Sequence, residues 1–387
     1  MTRPGERPLR PRPLFAGLMS GTSMDGVDAV VVAFDGDSPP QVLAHVQLAI
    51  PATLGTELRA LNVPGDNELH RAALAANGVA RWYAQALAAV LDRAGCMASE
   101  VAAVGAHGQT VRHRPGEFDA TGYTTQLLNA ALLAELSGID VVADLRSRDV
   151  AAGGQGAPLV PAFHARCFRQ PERAVAVLNL GGIANLTLLP PLGDGTTPVR
   201  GFDCGPANVL SDLWHRRHHP KGPGFDRDGA WAASGRVDAV WLTELLKEPF
   251  FALAPPKSTG RDLFNDNWVD RRLMNAPAVP RDVAATLLEL TATTAMQALV
   301  RELPEAQELL VCGGGAFNAH LMRRLQTLAG PGIKVSSTAQ AGMPPDQVEA
   351  VAFAWLALSF TRRQPGNLPA VTGAAGPRVL GALYPAA

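Results

Sequence analysis

The chain is short of charge and of cysteine. Charged residues make up 18% of its 387 positions and hydrophobic ones 47%, which leaves too little charge and too much apolar material for a disordered protein. A formal net charge of −1 gives no electrostatic reason to expect a nucleic-acid partner. The four cysteines, Cys96, Cys167, Cys204 and Cys312, stand far apart with no C-x-x-C pair, so neither a disulfide framework nor a zinc site is indicated. No apolar run approaches about 18 residues, so no membrane span is expected. Residues 1–13 are rich in Pro and Arg without an apolar core, which is not the pattern of a secretory signal. The expectation is a reduced, cytoplasmic, globular protein long enough for two domains.

Two familiar phosphate-binding signatures are also missing. There is no G-x-x-x-x-G-K-[ST] loop and no complete G-x-G-x-x-G fingerprint. Four glycine-rich turns stand in their place, each at the end of a strand-like run: Gly21–Gly26, Gly181-Gly182, Gly201–Gly205 and Gly313-Gly314-Gly315. The first is the most informative. Met19-Ser20-Gly21-Thr22-Ser23-Met24-Asp25-Gly26 joins two apolar runs and combines glycines with hydroxyls and one carboxylate. Glycine lets backbone N–H groups approach an anion, and Asp25 could hold a hydrated Mg²⁺ beside phosphates. A polar β-turn without a ligand is the plainer alternative. The Gly313–Gly315 turn precedes a helix through Asn318, a second place for phosphate or adenosine.

Strand-like runs recur at 14–18, 27–34, 42–50, 101–106, 139–143, 174–180, 186–189, 309–312, 333–336 and 379–384, with helical periodicity between them. Ala75, Val79, Trp82, Ala86 and Val90 share one helical face, as do Val283, Leu287 and Leu290, and a late helix is expected over 346–360. The pattern of strand, glycine turn and strand occurs near residue 14 and again near 174, which points to two halves of like topology with a cleft between them.

Asp203 follows a strand-like run and precedes Gly205-Pro206, with Pro206 suited to the first turn of a helix over 207–214. A carboxylate at a strand end suits a general base, and a helix cap fits the same spacing. His107, Gln109 and Asp144–Asp149 stand at other strand ends and suit a polyhydroxylated ligand, although a lone histidine is more often structural. His215-Arg216-Arg217-His218-His219 reads as a solvated helix end, because adjacent histidines rarely converge on one metal.

These segments closely resemble the anhydro-N-acetylmuramic acid kinases, a bacterial cell-wall-recycling family of the actin-like, sugar-kinase superfamily. The resemblance runs from Phe15 to Pro385. It is carried by Gly17-Leu18-Met19-Ser20-Gly21-Thr22-Ser23-Met24-Asp25-Gly26-Val27-Asp28, His107-Gly108-Gln109-Thr110, Asp144-Leu145-Arg146-Ser147-Arg148-Asp149, Asn179–Asn185, Gly201–Pro206 and Glu349–Leu356. It implies an α/β fold of two ribonuclease-H-like domains with mixed sheets around a central cleft. The expected division is residues 1–135 with 365–387 in the first domain and 136–364 in the second.

The resemblance further implies an ATP- and Mg²⁺-dependent kinase. Gly21, Thr22, Ser23, Met24, Asp25, Gly26, Val27 and Asp28 would bind ATP, with Gly181, Gly182, Gly313, Gly314, Gly315 and Asn318 completing the nucleotide site. It also implies that Asp203 activates water; from the residues themselves, Asp25 is the candidate metal ligand, His107, Gln109, Asp144 and Arg148 are the candidates to contact the sugar, and Glu349 is an acidic candidate near the nucleotide. The expected partners are the sugar and ATP, without nucleic acid or membrane; a homodimer is compatible with this. An acetate- or hexose-type kinase, and an actin-like ATPase that moves a partner or forms filaments, are the competing readings.

Overall fold

The computed structural model describes residues 13–387 apart from 22, 23, 25, 37, 196 and 277. Its strands are β1 (Leu14–Ser20), β2 (Gly26–Ala33), β3 (Gln41–Ala49), β4 (Val101–Ala106), β5 (Gln109–Pro115), β6 (Gly122–Leu127) and β7 (Val141–Ala143). They continue with β8 (Val175–Leu180), β9 (Ile183–Leu189), β10 (Arg200–Pro206), β11 (Glu308–Cys312), β12 (Lys334–Ser337) and β13 (Ala382–Tyr384). The chain divides into two compact units, one running to Phe163 and resuming at Glu349–Ala387, the other His164–Val348.

The two sheets repeat one plan. In the first unit the strand order is β3-β2-β1-β4-β7-β13, and in the second β10-β9-β8-β11-β12. Each opens with a three-stranded antiparallel meander and continues with strands parallel to its first, β4 on β1 and β11 on β8, and in the first sheet β13 then adds an antiparallel edge to β7. This is the ribonuclease-H-like arrangement, made twice without a residue-level repeat.

Alternation along β1 and β4 sends side chains to opposite faces of the first sheet. Leu14, Ala16 and Leu18 of β1 with Val104 and Ala106 of β4 join the core formed with helix Glu68–Ala94, whose Val79, Trp82, Tyr83 and Val90 are buried there. On the other face lie Gly17 and Gly105, against helix Val348–Thr361. A Cβ at Gly17 would stand 1.9 Å from the Ala350 carbonyl oxygen, and one at Gly105 the same 1.9 Å from that of Phe353. Only glycine permits so close a packing of helix on sheet.

In the second unit, helix Pro280–Glu302 packs against β9, β10 and four other helices, Asn208–His218, Ala230–Ala233, Ala239–Leu245 and Ala319–Ala329. It is apolar on almost every side, as a fully enclosed helix must be. By length and composition it could cross a membrane, contrary to the expectation that no apolar stretch was long enough, but 83% of its most apolar window is buried within the protein. Its one buried acid, Glu289, receives a two-pronged ion pair from Arg324 at 2.7 and 2.8 Å.

Three expectations shift. The domain boundaries fall after Phe163 and Val348 and not after 135 and 364, because β7 pairs parallel with β4 and the helix from Glu349 lies on β1 and β4. Pro206 ends β10, paired with Ile183, and the helix starts only at Asn208. The β5–β6 hairpin was not anticipated: its strands carry Arg112, His113 and Arg114 and form a two-stranded ribbon with no sheet to bury them.

Gly105→Ala forces the Phe353 carbonyl away from β4. Overpacking of this kind is expected to cost about 1–3 kcal/mol or more. Denaturant unfolding followed by circular dichroism should show the loss; an unchanged midpoint would mean the helix can shift freely.

Candidate active site

Asp203 stands where β10 departs from regular pairing. Its partner across the ladder is Asn185, but the next matched pair is Gly205 with Ala184, so Cys204 is the extra residue of a β-bulge. Bulges bend a strand and re-aim its side chains. The Cys204 thiol is turned inward and donates to the Ala184 carbonyl at 3.3 Å. The capping alternative for Asp203 does not hold. Its Oδ2 accepts from the Ser258 hydroxyl at 3.0 Å and the Thr259 N–H at 2.9 Å, and no N–H of the following helix reaches it. Burial pushes the carboxyl up to about 6, against the opposing pull of Thr259, Ser258 and the Lys257 charge. A carboxylate of that basicity remains ionised at neutral pH and accepts a proton more readily than a free aspartate.

The glycine turns of this unit divide into two kinds. Gly313, at φ +78°, and Gly315 are required by packing: a Cβ would come within 2.5 Å of Asn179 Oδ1 and of Leu180 Cβ respectively. Gly182 and Gly314 are open, the first with nothing within 4 Å of its added carbon and the second with only Asn208 Nδ2 at 3.8 Å. Asn208 braces the group by donating to the Leu180 and Gly181 carbonyls at 3.0 and 2.9 Å. Beside them lies a pocket of about 500 Å³ lined by Asn208, Ser211, Asp212, Phe225, Asp226, Arg227, Asp228, Gly314, Phe317 and Asn318. That volume suits a nucleoside. Phe225 and Phe317 keep exposed rings at its rim, while Asp226 spends its carboxylate on the Trp231 and Ala232 N–H groups. Asn318, expected at the nucleotide, uses its Oδ1 to cap helix Ala319–Ala329 through the Leu321 N–H.

In the first unit β1 and β4 end side by side. Ser20 donates its hydroxyl proton to the Gly108 carbonyl, so the buried Tyr83 hydroxyl, 2.6 Å away, must donate to Ser20. Gln109 is wholly buried and donates to the Gly21 carbonyl at 3.1 Å, while its Oε1 finds no partner. His107 presents Nδ1 to the Ser20 carbonyl, and its Nε2 accepts from Arg146. Burial and the Arg146 charge hold its pKa well below the ordinary value, so it is the neutral Nδ1–H tautomer. With both nitrogens engaged, His107 orients the loop and Arg146 and has no free atom for a sugar.

The remaining expected residues of this unit separate by surroundings. Asp28 is half-buried and accepts from His45 at 2.9 Å, whereas Val27 is sealed in the core, paired across the ladders with Ser20 and Leu48, and its side chain is not open to a nucleotide. Met24 is buried at φ 57°, its N–H donating to the Gly21 carbonyl, and Gly26 starts β2 opposite Ala49. Thr22, Ser23 and Asp25 lie outside the described residues. Asp144, at φ 54°, and Arg148 are exposed, with the Ser147 hydroxyl donating to Asp144. Glu349 lies near enough to Arg146 to favour its charge. Asp149 is structural, its buried carboxylate accepting from Gly156, Asn367 and Thr372.

Sequence reasoning named Arg146 only as a member of the Asp144–Asp149 cluster, and passed over Asn208, residues 225–228 and the Lys257–Thr259 segment. Of these only the Lys-Ser-Thr-Gly run offered a signal, a polar stretch after Pro255-Pro256. The histidine run is not simply solvated: His215 is buried, stacks on His219 at 4.5 Å, and both meet Trp231. Among the described residues no group of three ligating side chains is placed to hold a metal.

Folded Asp203 titrates at about 6 and an unfolded aspartate at about 3.9. The native state therefore binds the extra proton between these values, and above them it bears the cost of a buried charge. Asp203→Asn should melt higher than the parent at pH 7.5, with the gain fading as pH falls toward 4. Calorimetry at both pH values checks this; a variant that melts lower at pH 7.5 would show that the carboxylate is a net stabiliser.

A model of the anhydro-N-acetylmuramic acid kinase family matches residues 13–386. The anhydro-N-acetylmuramic acid kinase of Bordetella pertussis is 58% identical over 390 residues, covering 100% of this chain and 99% of that protein. That of Variovorax paradoxus is 57% identical over 377 residues, covering 96% and 99%. The protein of the same name from Cupriavidus metallidurans is 56% identical over 375 residues, covering 96% and 97%. With identity of this level across nearly the whole length, the chain belongs to the anhydro-N-acetylmuramic acid kinase family and is a kinase.

Proposed function

We propose that this kinase opens the 1,6-anhydro bridge of anhydro-N-acetylmuramic acid with water and transfers the γ-phosphoryl group of ATP to O6. The products are N-acetylmuramic acid 6-phosphate and ADP, made in the cytoplasm during recycling of the peptidoglycan wall. The observation that carries this reading is Asp203, a carboxylate set at a bulge, raised to about 6, and among the described residues bonded through one oxygen only. Asp203 takes a proton from water as the water oxygen bonds to the anomeric carbon. The C1–O6 bond breaks, O6 bonds to the γ-phosphorus, and the bond to ADP breaks.

The pocket beside Gly314 takes the adenosine, and the open backbone at Gly182 would allow phosphates a close approach. The Gly21–Asp28 segment is the further proposed contact to ATP. Gln109 supports it through the Gly21 carbonyl. Asp25 offers the hard oxygen that Mg²⁺ prefers, and the ion would neutralise phosphate charge when bound. Asp144 and Arg148 are the exposed polar groups proposed for the sugar, with Glu349, whose charge acts on Arg146, as a further candidate. Positioning of these groups supplies most of the acceleration.

ADP release measured with and without 1,6-anhydro-N-acetylmuramic acid tests the reading. A filament-forming or partner-moving ATPase would turn over ATP without the sugar, and that result would overturn it. Asp203→Asn should lower kcat by roughly 10²–10⁴ while ATP still binds. Since the base must be ionised, kcat/KM should fall as pH drops through about 6. Gly182→Val should fold normally, because the added Cβ has no protein atom within 4 Å, yet weaken ATP binding about tenfold or more by intruding on the phosphates. Gly315→Ala should behave oppositely and lose stability, because its carbon meets Leu180 Cβ at 2.5 Å. Calorimetric titration and melting curves on the two variants separate these roles.

A further inference from the structure

A short segment outside every motif so far invoked grips the proposed base. Lys257, Ser258 and Thr259 run beside β10 at its bulge, and three hydrogen bonds join the two stretches. The Asp203 N–H donates to the Lys257 carbonyl at 3.1 Å. In return the Ser258 hydroxyl and the Thr259 N–H both donate to Asp203 Oδ2. Among the described residues Oδ1 has no protein partner, so the two oxygens of one carboxylate are used differently.

The segment is itself anchored. The Lys257 ammonium donates to the Phe250 and Phe251 carbonyls at 3.0 and 3.2 Å and lies 4.6 Å from the Phe250 ring centre. Those carbonyls belong to the short helix Pro249–Ala252, whose end favours a cation. Lys257 thus spends its donors on the backbone and contributes to Asp203 only a weaker, longer-range attraction.

We infer that Ser258 and Thr259 are positioning residues for the reaction, holding one oxygen of Asp203 so that the other is presented to the water it deprotonates. The inference rests on the assignment of Asp203 as the base. Its physical content is twofold. Two donors on Oδ2 fix the rotation of the carboxylate, which a single bond would leave free to swing. They also favour the ionised form, since a protonated carboxyl accepts hydrogen bonds less strongly than a carboxylate. The other charges near this segment are Arg301 and Glu302, which face Lys257; the buried Cys204 thiol, its pKa raised by burial, is neutral. None of them donates a hydrogen bond to Asp203, so no neighbouring charged group takes over the role of the Ser258 hydroxyl.

The test is a pH–rate profile. Ser258→Ala should move the acid limb of kcat/KM upward by about 0.5–1 pH unit and lower kcat near pH 6 by about three- to tenfold, with KM for ATP unchanged. Ser258→Thr, which keeps the hydroxyl, should restore the limb. Ser258 is exposed, so the alanine variant is expected to fold, and its melting temperature is read alongside. Asp203→Asn is assayed with it. If that variant is inactive and Ser258→Ala keeps the parent's acid limb, the positioning role is overturned and the base assignment stands. If Asp203→Asn remains active, both fail.

Discussion

The close approach of helix Val348–Thr361 to β1 and β4 governs the first unit. Two missing β-carbons, at Gly17 and Gly105, let helix carbonyls sit where side chains would otherwise be. The consequence reaches the strand ends. Phe353 of that helix lies 4.9 Å from the His107 ring, and His107 is fixed on its other sides by Ser20 and Arg146. Because β1 and β4 are parallel, their carboxyl ends leave the sheet together, at the edge where α/β proteins place ligands. A neutral imidazole suits this position. A charged one would set a second cation against the Arg146 guanidinium in a site that water cannot screen.

The second unit reaches a similar arrangement through other residues. There β8 and β11 are the parallel pair, and Gly313 and Gly315 let the exit of β11 lie against Asn179 and Leu180. Asn208 ties the β8–β9 turn from beneath, so the backbone around Gly182 and Gly314 is held without being covered. Rigid backbone with open space above it is what a phosphate needs, since ordering the loop on binding would subtract from affinity. The repeated topology is therefore a repeated solution to one problem, with glycine used for packing at some positions and for access at others.

That distinction marks the limit of what the sequence could show. The strands of both sheets were legible because β-branched and apolar runs end in Gly, Pro or Asp. Helix Glu68–Ala94 was legible from the spacing of Ala75, Val79, Trp82 and Val90. The role of Asp203 was open between base and cap, and distance decided it, because the residues that bind the carboxylate lie 55 and 56 positions away. His107 was legible as a site residue but not as one with both nitrogens taken, since Ser20 and Arg146 are 87 and 39 positions distant. The pocket at Phe225–Asp228 had no signal, being irregular chain without periodicity. Long-range partners are set by the fold, and a motif shows only its local half.

Asp203 shows how opposing effects are balanced within a few ångströms. Burial alone would drive the carboxyl toward the neutral form, in which it could not accept a proton from water. Hydrogen bonds alone would pull it below an ordinary aspartate and make it too weak a base. With burial as the larger effect and Ser258, Thr259 and Lys257 opposing it, the group settles at about 6. That value leaves it largely ionised at neutral pH yet roughly a hundredfold more basic than a free aspartate. The cost falls on the native state, which holds a poorly solvated charge at neutral pH. A protein selected for stability alone would place an amide there; a carboxylate at that bulge makes sense where proton transfer is required.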